Sequence, residues 1–219
     1  PPMRIQRPPI TNVTTLNYAS DQQIADFFHS RLERALAKAK SDIAVAFPGG
    51  STPAPILDLM VQRELDWKRI TVLPTDDRIV EEDHQASNTG KLRARLEPLG
   101  AKVVSLSEDM DAPKLAIVWP GMGADGHIAS LFPSSRPDPK DTQKVRTLTP
   151  DPLPPEAPFD RITLTIPALL ACDEMAFVAR GQAKRDVFEG ALNGRHDLPL
   201  RTLLAKRESG VQMPVTCFF

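Results

Sequence analysis

The sequence predicts an α/β fold in which a mostly parallel sheet carries helices on both faces. Short apolar runs alternate with segments of helical periodicity along most of the 219 residues, and this alternation is typical of β-α-β units. Hydrophobic residues make up 41% of the chain, which is enough for a substantial core. The length suits one large domain, and no internal repeat or linker divides it, so we expect a single domain over residues 1–219.

The first half of the chain supplies the clearest elements. A capping-box pattern at Ser20 opens a helix that is predicted to extend to Lys40. The apolar run 43–47 predicts a buried strand, and the glycine turn behind it leads into a helix that Ser51 or Thr52 would cap. Further strands are predicted at 70–73, 102–106, 115–119, 161–166, 175–179 and 211–218, with helices at 88–99, 182–192 and 201–206 and a long surface loop at 134–158.

Composition excludes several partners and locations. A net charge of -1 with 25% charged residues provides no overall field for nucleic acid or an acidic membrane, so neither is expected as a partner. No apolar run reaches the roughly 18 residues of a membrane helix, and the first residues lack the apolar segment of a signal peptide. We therefore expect a cytoplasmic protein. Cys172 and Cys217 lack metal-like spacing and are expected to be reduced and buried.

A glycine turn between a strand and a helix is the first candidate site. Gly49, Gly50, Ser51 and Thr52 combine a backbone that a ligand can approach closely with two hydroxyl donors. The N–H groups and the positive end of the helix that follows favour an anion. No Lys-Ser/Thr pair follows the glycines, so the pattern is not that of a triphosphate-binding loop. The alternative is a plain glycine turn that only begins a helix.

His127 follows a second glycine-rich turn, directly after a predicted strand. The segment 121–126 matches the dinucleotide-binding pattern, but it lies in mid-chain, and Pro133 leaves no room for the long helix that pattern needs. An imidazole has a reference pKa of about 6.5, so it can accept and return a proton near neutral pH. Asp125 stands two residues earlier and could orient the ring. The alternative is a structural or solvated histidine.

Two more segments carry candidate ligand-binding groups. Asp76, Asp77 and Arg78 follow a predicted strand, where the guanidinium could bind a phosphate or pair with a carboxylate. A solvated charged loop is the alternative. Lys184 lies near a helix start and by itself would be a surface lysine. No histidine, cysteine or carboxylate set has metal-ligand spacing, so no metal and no cofactor are predicted.

These loops are expected to meet. In open parallel sheets, ligands bind outside the carboxyl ends of the strands. The turns after Phe47, Leu73 and Trp119 all follow predicted strands, so they should converge on one rim of the sheet.

Taken in order, the motifs resemble one family. Gly-Gly-Ser-Thr-Pro at 49–53, Asp-Asp-Arg at 76–78 with Ser-Asn about ten residues on, and Gly-Met-Gly-x-Asp-Gly-His-x-Ala-Ser-Leu-Phe-Pro at 121–133 resemble the 6-phosphogluconolactonases. Arg-Ile-Thr-Leu at 161–164 and Gly-x-x-Lys at 181–184 stand where that family has similar elements. The chain departs from the family where Asp77 replaces a more usual glutamate and where its C-terminus lacks an aromatic-x-Asp ending.

The resemblance implies a modified Rossmann-like fold and hydrolysis of a phosphorylated sugar lactone, 6-phosphogluconolactone, in the oxidative branch of the pentose phosphate pathway. It implies that His127 moves the proton and that Asp125 orients it, while Arg78 and Lys184 neutralise a phosphate on the glycine turn. Asp76 would contact substrate hydroxyls. No cofactor is implied, and the partner is a small sugar-phosphate lactone. Separately, the sequence has no obvious exposed apolar helix face, so a monomer is expected.

Two other functions remain open at this point. Glucosamine-6-phosphate deaminase is similar in fold and shares the glycine turn with Asp and His. It carries a Phe-Asn-Glu-Pro-like element after the His, whereas this chain has Ala-Ser-Leu-Phe-Pro at 129–133 and no suitable glutamate. A non-catalytic sugar-phosphate sensor would carry a DNA-binding helix-turn-helix, and only about 20 residues precede the first predicted helix, which is too few for one. A partner protein could supply that element.

Overall fold

A parallel sheet forms the centre of the molecule, in a computed structural model that describes residues 7–210 and 212–219. All neighbouring pairs of its seven strands run parallel. The predicted α/β fold is therefore confirmed. In spatial order the strands are β1 (Val13–Leu16), β10 (Val215–Phe218), β9 (Cys172–Val178), β6 (Leu115–Val118), β2 (Ile43–Phe47), β3 (Ile70–Pro74) and β5 (Lys102–Val103).

Helices cover both faces of this sheet, as parallel strands with crossover connections require. Along β2, Val45 and Phe47 pack with α1, α2 and α3, whereas Ala46 points to the other face and packs with α4, α5 and α6. Each face therefore has its own apolar cluster. The helices are α1 (Asp21–Lys38), α2 (Pro53–Met60), α3 (Asn88–Leu96), α4 (Ile166–Leu170), α5 (Gln182–Leu192) and α6 (Pro199–Glu208).

Residues at the N-termini of α1 and α2 explain where these two helices begin: a capping box in α1 and a proline in α2. The predicted capping box of α1 is present: the Gln23 N–H donates to Ser20 Oγ (3.1 Å), and the Ser20 N–H donates to Gln23 Oε1 (2.8 Å). Helix α2 begins after Thr52, whose hydroxyl makes no capping bond, and Pro53 occupies its first position. None of the helices in the described residues has the length and apolar composition needed to cross a membrane.

A small antiparallel sheet extends the molecule beyond the end of β3. Its strands are β4 (Asp76–Arg78), β8 (Arg161–Leu164) and β7 (Val145–Leu148), with β8 in the middle. The prediction of a surface loop over residues 134–158 is therefore wrong in part, because β7 lies within that range. The composition of that segment is dominated by the prolines on either side of β7. The strand itself is short and only Val145 in it is fully buried, so it gives no clear apolar pattern.

Other boundaries also differ from the predictions. The predicted strand 161–166 ends at Leu164, because the hydroxyl of Thr165 caps α4. The strand expected at 102–106 is only two residues long. Strand β1 was not predicted, since its side chains are mostly exposed and give no apolar alternation. The terminal strand is present as β10, and Val211, where it was predicted to begin, lies outside the described residues.

Candidate active site

The loops after β2, β3 and β6 meet at one rim, as predicted. These strands are adjacent, with β2 in the middle. The N–H groups of Trp119 and Thr75 donate to the carbonyl groups of Ala46 (2.9 Å) and Phe47 (3.0 Å), so the strand ends are held together. Gly121 lies against the first of these loops, since a Cβ added to it would stand 3.4 Å from Cβ of Pro48.

His127 and Asp125 form a hydrogen-bonded pair on the loop after β6. Nδ1 of His127 lies 2.6 Å from Oδ1 of Asp125, and the backbone N–H of His127 donates to the same oxygen (3.1 Å). The turn that makes this possible is closed by the Gly126 N–H on the Gly123 carbonyl (3.0 Å). Gly126 has a φ of +82°, which favours glycine. The ring is fixed through Nδ1, leaving Nε2 for other partners.

The electrostatics of this pair favour an ionised carboxylate. Burial raises the pKa of the Asp125 carboxyl, but the hydrogen bonds and charge of His127 outweigh that effect, so the pKa lies below its ordinary value. The His127 side chain remains 28% exposed. A small molecule can therefore reach an imidazole whose orientation is already set.

The ring of Phe132 packs against His127, and the buried Arg161 contacts Phe132. The rings of Phe132 and His127 are 4.8 Å apart between centroids. The guanidinium of Arg161 lies 5.5 Å from the Phe132 ring and donates to the Ala157 carbonyl (3.1 Å) and the Ser130 hydroxyl (3.4 Å). Burial, with the charge of Arg78 as a further cause, lowers the pKa of Arg161. The resemblance matched Arg161 to the family, but no sequence signal placed it beside Phe132.

A basic cavity of about 360 Å³ opens beside the glycine turn. Gly49, Gly50 and Ser51 form one wall, and Arg78 reaches it from β4. Helix α3 contributes two further cations, Lys91 and Arg95, that sequence analysis missed. They stand four residues apart on α3 and look like a solvated helical face, so only the docking of α3 reveals them.

Arg78 is held in the cavity wall by Asn88. Its Nη1 donates to Asn88 Oδ1 (2.8 Å) and to the Ala86 carbonyl (3.3 Å), while its buried Nε has no partner among the described residues. The Asn88 amide also donates to the Asp76 carbonyl (2.8 Å). A Cβ on Gly49 would lie 1.9 Å from Asn88 Oδ1, so only glycine fits there. Asn88 entered the sequence analysis only through the Ser-Asn resemblance.

The neighbouring carboxylates are both buried, with different partners. Asp77 accepts from the N–H groups of Asn88 (2.6 Å) and Thr89 (2.9 Å) and from the Thr89 hydroxyl (2.6 Å), so it caps α3 rather than pairing with Arg78 through side chains. Asp76 accepts from the hydroxyls of Thr75 (3.0 Å) and Ser130 (2.6 Å). Asp76 therefore ties the end of β3 to the loop that carries His127.

Two predicted phosphate ligands lie outside the wall of this cavity. Thr52 is the N-cap of α2 but does not line the cavity. Lys184 is in the first turn of α5, which follows β9, and is half-buried. Burial lowers the pKa of its ammonium group. Strand β6, which precedes the His127 loop, lies between β9 and β2 in the sheet, so the loops that lead to Lys184 and to the glycine turn lie on either side of the histidine loop.

Other candidate groups are accounted for by the structure. Both cysteines are buried, as predicted. The rings of His29 and His196 are hydrogen-bonded to the carbonyl groups of Glu64 (2.9 Å) and Val187 (2.8 Å). Within residues 7–210 and 212–219, no group of three or more histidine, cysteine or carboxylate side chains is arranged to hold a metal ion.

Sequence comparisons find relatives that match most of the chain. The profile of a family described as glucosamine-6-phosphate isomerases/6-phosphogluconolactonase matches residues 18–103 and 98–212. A Pseudomonas putida protein named 6-phosphogluconolactonase is 32% identical over 197 residues, which are 80% of this chain and 80% of that protein. One of the same name from Helicobacter pylori is 29% identical, over 90% of this chain and 92% of the relative.

Solved structures share the fold. A 6-phosphogluconolactonase from Shewanella baltica superposes with a TM-score of 0.78 at 24% identity, covering 96% of this chain and 99% of that one. The enzyme of that name from Trypanosoma brucei also gives 0.78, at 19% identity and 95% coverage of both chains. At these identities the likeness shows the fold alone. The profile match and the relative that is 32% identical over four-fifths of both chains show the family: the chain belongs to the glucosamine-6-phosphate isomerase/6-phosphogluconolactonase family.

Proposed function

We propose that this protein hydrolyses 6-phosphogluconolactone to 6-phosphogluconate, the reaction named for its relatives. The observation that carries the proposal is the bonded pair of His127 and Asp125 on the same rim as a cavity lined by cations. A proton-transfer group and an anion site at one rim are what hydrolysis of a phosphorylated lactone needs.

The phosphate group docks on the glycine turn. The turn formed by Gly49, Gly50, Ser51 and Thr52 offers N–H groups and hydroxyls at the start of α2, where the helix dipole favours an anion. Arg78 supplies a charged donor from the cavity wall. Lys184, which is half-buried in the first turn of α5, supplies a second positive charge for the same phosphate.

His127 performs the proton transfers. Since Nδ1 is bonded to Asp125, Nε2 takes a proton from a water molecule that attacks the lactone carbonyl. The tetrahedral intermediate collapses with cleavage of the bond to the ring oxygen, and the imidazolium returns its proton to that oxygen. A positioned acid–base group of this kind contributes about 10²–10⁴-fold. Asp125 holds the tautomer and stabilises the imidazolium. Asp76, which accepts from Ser130 on this loop, is the proposed contact for a substrate hydroxyl.

The decisive experiment follows the hydrolysis of freshly generated 6-phosphogluconolactone against its spontaneous rate. We expect rapid hydrolysis by the wild type and a loss of about 10²-fold or more in kcat for His127→Ala. His29→Ala is the matched control, because that ring binds a carbonyl group on the α1 side of the molecule. No acceleration by folded wild type refutes the activity, and full kcat in His127→Ala refutes the mechanism.

Phosphate recognition is tested separately. We expect Arg78→Ala and Lys184→Ala to raise KM for the phosphorylated lactone, each by roughly tenfold or more, since each removes a charge-assisted contact. The same variants should hardly change the hydrolysis of unphosphorylated gluconolactone. An unchanged KM in Lys184→Ala would remove that residue from the proposed site.

Further measurements test the isomerase alternative, the oligomeric state and the cofactor requirement. Ammonia release from glucosamine 6-phosphate would favour the isomerase branch of the family instead. We propose that the enzyme acts as a monomer in the cytoplasm, without metal or cofactor. Sedimentation at working concentration tests the oligomeric state, and a rate that survives chelator and dialysis tests the cofactor requirement.

A further inference from the structure

Three cations share the cavity beside the glycine turn. Arg78, Lys91 and Arg95 all line it, and none of its lining residues is acidic. Burial, the charge of Arg78 and then that of Arg95 lower the pKa of the Lys91 ammonium, although the charge of Asp77 offsets part of the effect. Like charges gathered in a half-buried cavity repel, so the arrangement is unfavourable until an anion enters.

Two carboxylates near the cavity offset only part of this charge. Asp77 accepts hydrogen bonds from the start of α3 and faces that helix. Asp58 pairs with Arg95 (2.8 Å), but its side chain is 57% exposed, so solvent weakens the pair. Among the described residues, Lys91 has no ion-pair partner, and the buried Nε of Arg78 has no hydrogen-bond partner.

The charge exceeds what one phosphate monoester needs. A phosphate ester carries close to two negative charges at neutral pH, whereas the cavity presents three cations together with the N-terminus of α2. Its volume of about 360 Å³ falls in the range of sites for whole small ligands. A ligand with two adjacent phosphoryl groups would match both the charge and the space better than a single phosphate does.

We propose that Lys91 and Arg95 form a second anion subsite next to the glycine turn, so that this cavity binds diphosphate groups. One phosphoryl group lies on Gly49–Ser51 and Arg78, and the second lies between Lys91 and Arg95. The inference rests on the phosphate site proposed above, but it does not depend on lactone hydrolysis. A bound diphosphate would occupy the place of the substrate phosphate and therefore compete with substrate.

Calorimetric titration of the full chain tests the subsite directly. Pyrophosphate and orthophosphate are titrated separately, without magnesium, in a buffer free of other multivalent anions and at equal ionic strength. We expect pyrophosphate to bind at least about tenfold more tightly, which corresponds to one added charge-assisted contact. ADP is the third ligand: tighter binding than pyrophosphate would identify a nucleoside diphosphate, and weaker binding would identify the free diphosphate.

Variants locate the second phosphoryl group. We expect Lys91→Met to weaken pyrophosphate about tenfold and orthophosphate much less, so that the preference collapses. Arg95→Met should have the same effect. Lys38→Met removes an equal charge from the exposed last turn of α1, at the opposite end of the sheet, and should leave both affinities unchanged. Melting curves establish that each variant is folded.

The outcomes separate this inference from the proposed activity. Equal affinity for the two anions, or equal behaviour of Lys91→Met and Lys38→Met, overturns the second subsite even if the lactone is hydrolysed. A diphosphate preference that depends on Lys91 supports it even if no lactone is turned over. Where hydrolysis is observed, pyrophosphate must inhibit it competitively, and inhibition that leaves KM unchanged would place the anion elsewhere.

Discussion

A side-chain carbon on Gly123 would lie 2.2 Å from Cε1 of His127 and 2.7 Å from Oδ1 of Asp125. Both distances are shorter than van der Waals contact, so the missing side chain of Gly123 is what allows the imidazole and the carboxylate to meet. The glycine-rich turn after β6 thus has a definite physical role, which is to make room for the hydrogen-bonded pair of His127 and Asp125.

We therefore expect Gly123→Ala to displace the His127 ring and to lower kcat/KM by about 10²-fold, the usual effect of a shift of about 1 Å at a reacting group. Gly121→Ala is the control, because its added carbon would meet only Cβ of Pro48, at 3.4 Å. Steady-state kinetics and melting temperatures of both variants decide the matter. Equal activity in the two variants would contradict the steric role of Gly123.

Asn88 gives a second prediction, because it links Arg78 to the backbone of Asp76. Asn88→Ala leaves the guanidinium with only the Ala86 carbonyl as an acceptor and leaves the Asp76 carbonyl without the Asn88 donor. We expect KM for the phosphorylated lactone to rise about tenfold and the free energy of unfolding to fall by about 1–3 kcal/mol. Asn17→Ala, at an exposed loop position, should change neither. A variant that lost stability but kept its KM would show that Arg78 does not need this anchor.

The Asp125 carboxylate makes the stability of the fold depend on pH. Its pKa in the folded protein lies below the ordinary 3.8, since the contacts with His127 outweigh the cost of burial. These contacts stabilise the folded state above the ordinary pKa, and their contribution is lost as the pH falls through the folded-state pKa. We expect Asp125→Asn to melt at a lower temperature than wild type at pH 6, with the difference shrinking below pH 4.

Activity supplies the second measurement on the same variant. Asp125→Asn should lower kcat at neutral pH, by at most the roughly 10²–10⁴-fold that the histidine supplies, because the asparagine no longer fixes the tautomer. Asp173→Asn removes an exposed carboxylate that pairs with Lys114 and is expected to leave kcat unchanged. A wild-type kcat in Asp125→Asn would mean that Asp125 holds the turn but does not assist His127.

Local patterns were enough to predict the rim and the histidine pair. The apolar runs of β2, β3 and β6 are short and buried on both faces, and a glycine turn follows two of them, so the topology of parallel strands brings the loops together. His127 and Asp125 are two residues apart, and a tight turn is sufficient to join them. Features encoded over such short distances can be inferred before any tertiary contact is known.

The remaining parts of the site depend on long-range packing. Lys91 and Arg95 acquire a role only because α3 docks against the turn after β2, and α3 is held there by Asp77, whose carboxylate accepts from its first N–H groups. The pairing of β7 with β8 likewise fixes the strand that places the Arg161 guanidinium 5.5 Å from the centre of the Phe132 ring. Neither docking leaves a periodic signal in the sequence, so the sequence does not show which groups these side chains contact.

Arg78, Lys91 and Arg95, the three cations of the cavity beside the glycine turn, lower the stability of the folded protein when no anion is bound. Burial, followed by the charge of Arg78 and then of Arg95, holds the pKa of Lys91 below its ordinary value, although Asp77 offsets part of the effect. The protonated lysine therefore destabilises the folded protein. This penalty is complete below the folded-state pKa and disappears as the pH rises through it to the ordinary 10.5.

Lys91→Met keeps the apolar stem and the helix propensity but removes the charge. In a buffer without multivalent anions we expect its melting temperature at pH 7 to exceed that of wild type by roughly 1–3 °C, and the gain to shrink toward pH 10. Lys38→Met should show no gain, because a cation in the last turn of α1 is favoured by the helix dipole. Pyrophosphate should reverse the order, since it stabilises the wild type more than the variant. A lower melting temperature for Lys91→Met in the anion-free buffer would show that repulsion among the three cavity cations does not destabilise the fold. The electrostatic reason for a bound anion would then be removed.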